Sequence, residues 1–197
     1  MLSDEKLAQQ ILVGDEAAFE ELINIYKKSI FTIAYRMMGN YHEAEDICQE
    51  VFVTVYNKIY QFDTSKKLGP WIHRIAVNTC ISTLRKRNKV VSISFDETYI
   101  PANDLESNEL YEDPHLIIEH QELRAEIEEA LMQLPESYRI VLILRYQLEL
   151  KNQEIAEVIG VSRENVDVKV HRARKALRKI ILKRWSEGGL KDELPAL

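Results

Sequence analysis

The residues with the plainest chemistry lie between Asn152 and Arg184, in NQEIAEVIGVSRENVDVKVHRARKALRKIILKR. On a helical projection Arg163, Asp167, Lys169, His171, Arg172, Arg174, Lys175 and Arg178 fall outward, and Val166, Val170, Ala173 and Leu177 fall inward. Cationic groups in that density neutralise phosphates, and from the first turns of a helix they reach base edges in a major groove. A basic amphipathic helix alone is equally a solvated helix closing a bundle. The stretch ahead of it favours DNA. Ile155, Ala156 and Ile159 sit at helical spacing, Gly160 stands where a C-terminal cap needs positive φ, and Ser162 is placed to cap the next helix. Two helices joined by so tight a turn read as a helix-turn-helix.

A second group mixes aromatic, cationic and amide side chains. A helix is predicted from Pro70 to about Arg87, with Ile72, Ile75, Ala76 and Thr79 packing down and Trp71, Arg74, Asn78 and Arg85 on or near the other side. Unpaired bases stack on aromatic rings and their phosphates attract cations, so this mixture suits single-stranded nucleic acid. Trp71 taken alone reads as a core or boundary residue. A third group is acidic. On a helix from about His42 to Tyr60, Ala44, Ile47, Cys48, Val51, Phe52, Val55 and Ile59 point inward, and Glu43, Asp46, Gln49 and Glu50 occupy the opposite face. The helix dipole accounts for Glu43 and Glu45. It does not account for Asp46 and Glu50, one turn apart on one face.

These groups need helices to hold them. Ser3 is placed to cap a short helix through Val13; Gly14 breaks it and Asp15 caps a longer one, which carries Phe19, Leu22, Ile23, Tyr26, Ile30, Ile33, Ala34 and Met37 inward and ends at Gly39-Asn40. From Val90 to about Pro114 the periodicity fades. Between Val90 and Leu123 there is no Lys or Arg, whereas Asp96, Glu97, Asp104, Glu106, Glu109, Glu112, Asp113, Glu119 and Glu122 accumulate. Helical spacing resumes from His115 to Leu134, and Pro135 starts another helix to about Gln147. The expected fold is all-α: two small helical domains over 1–90 and 115–186, an acidic flexible linker over 91–114, and a tail over 187–197. The second domain is a four-helix unit ending in the helix-turn-helix.

The formal charge of −6 over 197 residues looks wrong for a nucleic-acid partner until the segregation of Arg85, Lys86, Arg87, Lys89 and the 163–184 cations from the acidic stretch is seen. No apolar run has membrane-spanning length, and MLSDEKLAQQ lacks the order of a signal peptide, so a cytoplasmic protein is expected. Cys48 and Cys80 read as small core residues, His115, His120 and His171 as surface or boundary residues, and no disulfide, metal or cofactor is expected. With no Gly-rich phosphate loop, no metal spacing and no nucleophile beside a base, an enzyme is not expected.

The ordered segments EAEDICQEVF, FDTSKKLGPWIHRIAVNTCISTLRKR, LPESYRIVLILRY and QEIAEVIGVSRENVDVKVHRARKALRK resemble bacterial sigma factors of the extracytoplasmic-function (ECF) group, in the sigma-70 family, over nearly the whole chain. The resemblance implies a transcription initiation factor that binds core RNA polymerase through its β and β′ subunits and directs it to promoter DNA, with an anti-sigma factor as regulator and stress response as setting. Asp46, Gln49 and Glu50 match the core-binding helix. Trp71, Arg74, Asn78 and Thr79 match the segment that melts the minus-ten element, with Lys66 and Lys67 in the loop before it and Arg85 beyond it. Arg163, Asp167, Val168, Lys169, His171, Arg172, Arg174 and Lys175 match the reader of the minus-thirty-five element.

Some positions depart from the family. Gly69-Pro70 replaces a small hydroxyl pair and Ser82 a common Asp; Lys151 stands where a capping Ser is usual, so Asn152 is expected to cap with a one-residue shift. Asp167 stands where many members carry Lys or Arg. Its carboxylate either accepts from a cytosine amino group or repels wrong sites; against these stand its favourable place near the helix dipole and pairing with Arg163 or His171 across a turn. The alternative function is a stand-alone helix-turn-helix repressor or activator, which would hold duplex DNA without polymerase.

Overall fold

A computed structural model describes residues 4–90, 123 and 125–187. Among them every regular element is helical: α1 (Asp4–Leu12), α2 (Glu16–Met38), α3 (Tyr41–Lys58), α4 (Leu68–Val90), α5 (residues 125–132), α6 (Glu136–Leu142), α7 (Asn152–Ile159) and α8 (Arg163–Glu187). The acidic stretch, the tail, Ser3, His115 and His120 lie outside the described residues.

Local chemistry sets most boundaries. Asp15 caps α2, its carboxylate accepting from the Ala18 N–H at 3.2 Å. Gly39 closes α2 at φ 71°, and Asn40 caps α3 by accepting from the Glu43 N–H at 3.0 Å, so one dipeptide ends a helix and starts the next. The positive φ is what asks for glycine here; a Cβ would also meet Cε of Met132 at 2.8 Å, a contact that the flexible Met side chain can relieve. α3 stops at Lys58 and tightens into a 3₁₀ turn over Ile59–Gln61, short of the expected Tyr60 end. α4 begins two residues before Pro70, its Leu68 N–H donating to Oδ2 of Asp4 at 3.0 Å. The apolar faces of α1–α4 meet in one core, where Leu7, Leu22, Ile30, Ile33, Met37, Val51, Val55, Leu68 and Ile72 are fully buried. Cys80 is buried and Cys48 half-buried, both as free thiols; burial pushes them up to about 12 and about 11, which leaves them unreactive.

In the C-terminal unit, α6 does not run uniformly to Gln147. It widens into a π turn over Ile143–Gln147, with Leu148 N–H donating to Ile143 O at 3.2 Å and Glu149 at φ 53°. Gly160 closes α7 at φ 69°, and Ser162 Oγ accepts from the Asn165 N–H at 3.4 Å at the start of α8, as expected. The expected shift of the α7 cap to Asn152 is corrected. Lys151 is the N-cap residue, and because an ammonium group accepts nothing, the reciprocal bond is the one that forms: Lys151 N–H donates to Oε2 of Glu154 at 3.1 Å.

The two units touch. α7 packs on α4, and the tip of α5 packs on the α2–α3 corner. Arg139, only 6% exposed, fills the junction between α5, α6 and α2. Its Nε donates to Leu131 O at 3.0 Å, its Nη2 to Met132 O at 2.6 Å and Leu134 O at 3.1 Å, and its Nη1 crosses to Met37 O at 2.7 Å. These carbonyls lie at the ends of α2 and α5 and in the turn that follows α5, and together they suit a cation with a planar fork of donors.

Candidate polymerase and nucleic-acid interfaces

α8 buries Val166, Val170 and Ala173 against its own unit and exposes Arg163, Asp167, Val168, His171, Arg172, Arg174 and Lys175, with Lys169 half-buried. The separation of faces follows the predicted spacing. Asp167 pairs with neither Arg163 nor His171. Its Oδ1 accepts from Nδ2 of Asn152 at 2.6 Å and lies 3.9 Å from Nη2 of Arg145. Past the cationic stretch, Trp185 Nε1 donates to Oε2 of Glu126 at 2.6 Å and Arg184 pairs with Glu129, which anchors the far end of α8 on α5.

α4 exposes Arg74, Asn78 and Arg85. Trp71 is half-buried, its ring 5.3 Å from that of Phe62, and Thr79 spends its hydroxyl on Ile75 O at 3.0 Å. Lys66 and Lys67 are exposed in a loop that Asp63 shapes by accepting from the N–H and Oγ of Ser65 at 3.1 and 2.7 Å. Those bonds hold the Asp63 carboxyl below its ordinary range. Asp63, Thr64 and Ser65 carry the local signal for this turn, an acceptor two residues ahead of its donor.

On α3, Asp46, Gln49 and Glu50 are exposed. Val53, Tyr56 and Tyr60 continue the same strip at 60%, 56% and 70% exposure. Extending the helical spacing beyond Glu50 would have found them. His73 was also missed: it is buried, 2.9 Å from Ser29 Oγ and edge-on to Tyr26.

The fold brings the loop before α4 against α7. Lys67 Nζ lies 2.8 Å from Oε1 of Glu154, and a cleft of about 290 Å³ between them is lined by Ser65, Lys66, Lys67, Lys151, Gln153, Glu154 and Glu157. A Cβ on Gly160 would lie 3.8 Å from Nη2 of Arg74. The α3 strip takes no part in this seam.

Residues 22–90 match the family model described as sigma-70 region 2, and residues 124–177 match that described as sigma-70 region 4. The chain is 35% identical over 177 residues to the ECF RNA polymerase sigma factor SigW of Bacillus subtilis (strain 168), covering 89% of this chain and 95% of that one. The chain is an ECF sigma factor. A second similar protein is the ECF sigma factor SigE of Mycolicibacterium smegmatis, 31% identical over 94% of this chain and 72% of its own. Among solved structures, CnrH in complex with the cytosolic domain of CnrY aligns at a TM-score of 0.67 over 90% of this chain and 96% of its own. The sigma factor RpoE of Bartonella quintana, in complex with the anti-sigma factor NepR, aligns at 0.64 over 83% and 96%. Both are 21% identical and share the fold.

As an ECF sigma factor the chain directs RNA polymerase to promoters. Its region 2 ends with α4, and its region 4 takes in α5, α6, α7 and most of α8. A stand-alone repressor has no use for region 2, and that alternative is set aside. Among the described residues no helix is long and apolar enough to cross a membrane.

Proposed function

We propose a division of labour among three exposed faces. Asp46, Gln49 and Glu50, extended by Val53, Tyr56 and Tyr60, dock on core polymerase. Lys66, Lys67, Trp71, Arg74, Asn78, Thr79 and Arg85 engage the minus-ten element and hold its melted strand. Arg163, Asp167, Val168, Lys169, His171, Arg172, Arg174 and Lys175 read the minus-thirty-five element. The domains are 1–90 and 115–186, with 91–114 as linker and 187–197 as tail, and the factor works in the cytoplasm without chemistry of its own.

The observation that carries this is the exposure of each face on a helix whose other face is core. The α3 strip joins carboxylates to exposed aromatic residues, as a protein partner requires. The α4 and α8 faces carry cations and amides, as phosphates and base edges require. Glu154 and Asp167 are acceptors placed among these cations, where they restrain as well as select.

The anti-sigma partner of RpoE supports a regulator of the same kind for this chain. The test is reconstitution: purified chain added to core polymerase should give promoter-dependent initiation, and a protein that shifts duplex DNA without binding core would refute the proposal.

A further inference from the structure

We propose that Asp4, the first residue of α1, is a positioning residue for the minus-ten reader: it gives α4 the cap that its own sequence lacks and so fixes the loop and first turn that carry Lys66, Lys67 and Trp71. Resting on the assignment of α4 to the minus-ten strand, this adds a residue from outside that helix. α4 starts at Leu68, so the position for a local cap is Lys67, whose ammonium group accepts nothing, and the first turn contains no acidic residue. A Ser or Asp at 67 would cap the helix but remove a cation from the DNA-facing loop. Asp4 resolves the conflict from 64 positions away, its Oδ2 accepting from the Leu68 N–H at 3.0 Å. A carboxylate at that end also answers the dipole of α4.

The acceptor is held in place by the core. Leu7, Ala8 and Ile11 bury the inner face of α1, which fixes Asp4 to a packed helix. Tyr26 of α2 closes the same corner: its Oη would lie 3.5 Å from a Cβ on Gly69, and burial, then the Asp4 carboxylate, raises its phenol. One turn further along α4, the Tyr26 ring meets His73 edge-on, and Ser29 Oγ lies 2.9 Å from His73 Nε2. At the other end of the loop Asp63 accepts from the Lys66 N–H through its carbonyl at 2.9 Å and from Ser65 through its carboxylate. Lys66 and Lys67 are therefore strung between two fixed points, one local and one supplied by α1. Without the second, the first turn of α4 exchanges between ordered and frayed forms, and a melted strand binds only the ordered fraction. Duplex DNA and polymerase meet other faces, so strand opening is the step that Asp4 governs.

Holoenzyme carrying Asp4→Ala should form closed complexes within about two-fold of wild type and open the promoter about five-fold more slowly by permanganate reactivity, as loss of one side-chain cap allows. In the full chain the same variant should speed hydrogen exchange of the amides over 68–71 about five-fold and leave those of α3 unchanged. Asp4→Asn keeps an acceptor oxygen and should bring both readouts back to within about two-fold of wild type. Added to Asp4→Ala, Lys67→Ser supplies a local cap and should restore slow exchange. Asp15→Ala removes the cap of α2, a helix with none of the DNA-facing residues, and should leave opening at the wild-type rate. If Asp4→Ala loses helical circular dichroism, Asp4→Ser, itself favoured at a helix start but one bond shorter, should move both readouts in the same direction. Unchanged exchange or opening in Asp4→Ala, or equal slowing by Asp15→Ala, overturns the positioning role. A failed α4 assignment shows elsewhere, as normal promoter opening by holoenzyme carrying Asn78→Ala.

Discussion

Nδ2 of Asn152 donates a 2.6 Å hydrogen bond to Oδ1 of Asp167, so the first residue of α7 holds the carboxylate in the second turn of α8. With Arg145 at 3.9 Å from the same oxygen, Asp167 is restrained from behind and its free oxygen is the one left for a base edge. Asn152→Ala should therefore reproduce the effect of Asp167→Ala. Each should relax preference at one base pair by about two- to five-fold, and the double variant should add nothing further. Competition binding at fixed salt against single-base promoter variants measures this, salt being held because phosphate contacts dominate raw affinity. Additive losses would mean that the two residues act apart.

Asp46→Arg or Glu50→Arg should abolish core binding with the helical spectrum intact, since both side chains are exposed and surface changes generally cost within about 0.5 kcal/mol. Tyr60→Ala, on the strip that structure added, should weaken core binding by about ten-fold if the aromatic residues belong to the same interface. Native affinity in all three would remove α3 from the polymerase contact.

Asn78→Ala should permit closed-complex formation and impair strand opening, because an exposed amide matters only once a base is free to meet it. Trp71→Ala should do the same and also destabilise the domain by about 1–3 kcal/mol, since the residue is half-buried with its ring against that of Phe62. Permanganate reactivity of promoter thymines reports opening, and chemical denaturation reports the stability difference between the two variants.

His73 should make region 2 sensitive to acid. Burial, opposed weakly by Glu154, pulls its imidazole down to about 4. Ser29 Oγ donates to Tyr26 O at 3.0 Å and is left to accept from Nε2–H of His73 at 2.9 Å, so Nδ1 is a buried acceptor with no partner. Protonation would place an unpaired charged N–H there. An unfolded histidine titrates near ~6.5 and so takes the proton first; stability is full above that pH and falls as pH drops towards about 4, by up to about 3 kcal/mol. Denaturation midpoints across that window should fall more steeply for wild type than for His73→Gln. Parallel slopes would place the acid sensitivity in other groups.

Much of this was legible in order along the chain. The caps at Asp15, Gly39, Gly160 and Ser162, the inward faces of α2, α3 and α8, and the outward cations of α8 depend on residues within a few positions of one another, where backbone geometry leaves few choices. The resemblance to ECF sigma factors rested on the same local segments. Where local rules compete, the reading failed: the cap stayed at Lys151 because a carboxylate three residues on could satisfy its N–H, and α6 widened where Ile143 and Leu144 were drawn into the core.

The long-range pairings belong to the tertiary structure alone. Lys67 meets Glu154 across 87 positions and Arg139 meets Met37 O across 102, and neither partner shows in a helical projection. A projection gives the side of a helix on which a residue lies, but not what faces that side. Arg139 stands among apolar neighbours in the sequence, and its burial became possible only when backbone carbonyls from the ends of α2 and α5 and the turn after α5 came to one place. Asp167 offered several partners by spacing, and the packing of α7 on α8 chose Asn152. Whether a polar group is a reader or a structural pin is decided by which acceptors and donors the fold brings within about 3 Å of it.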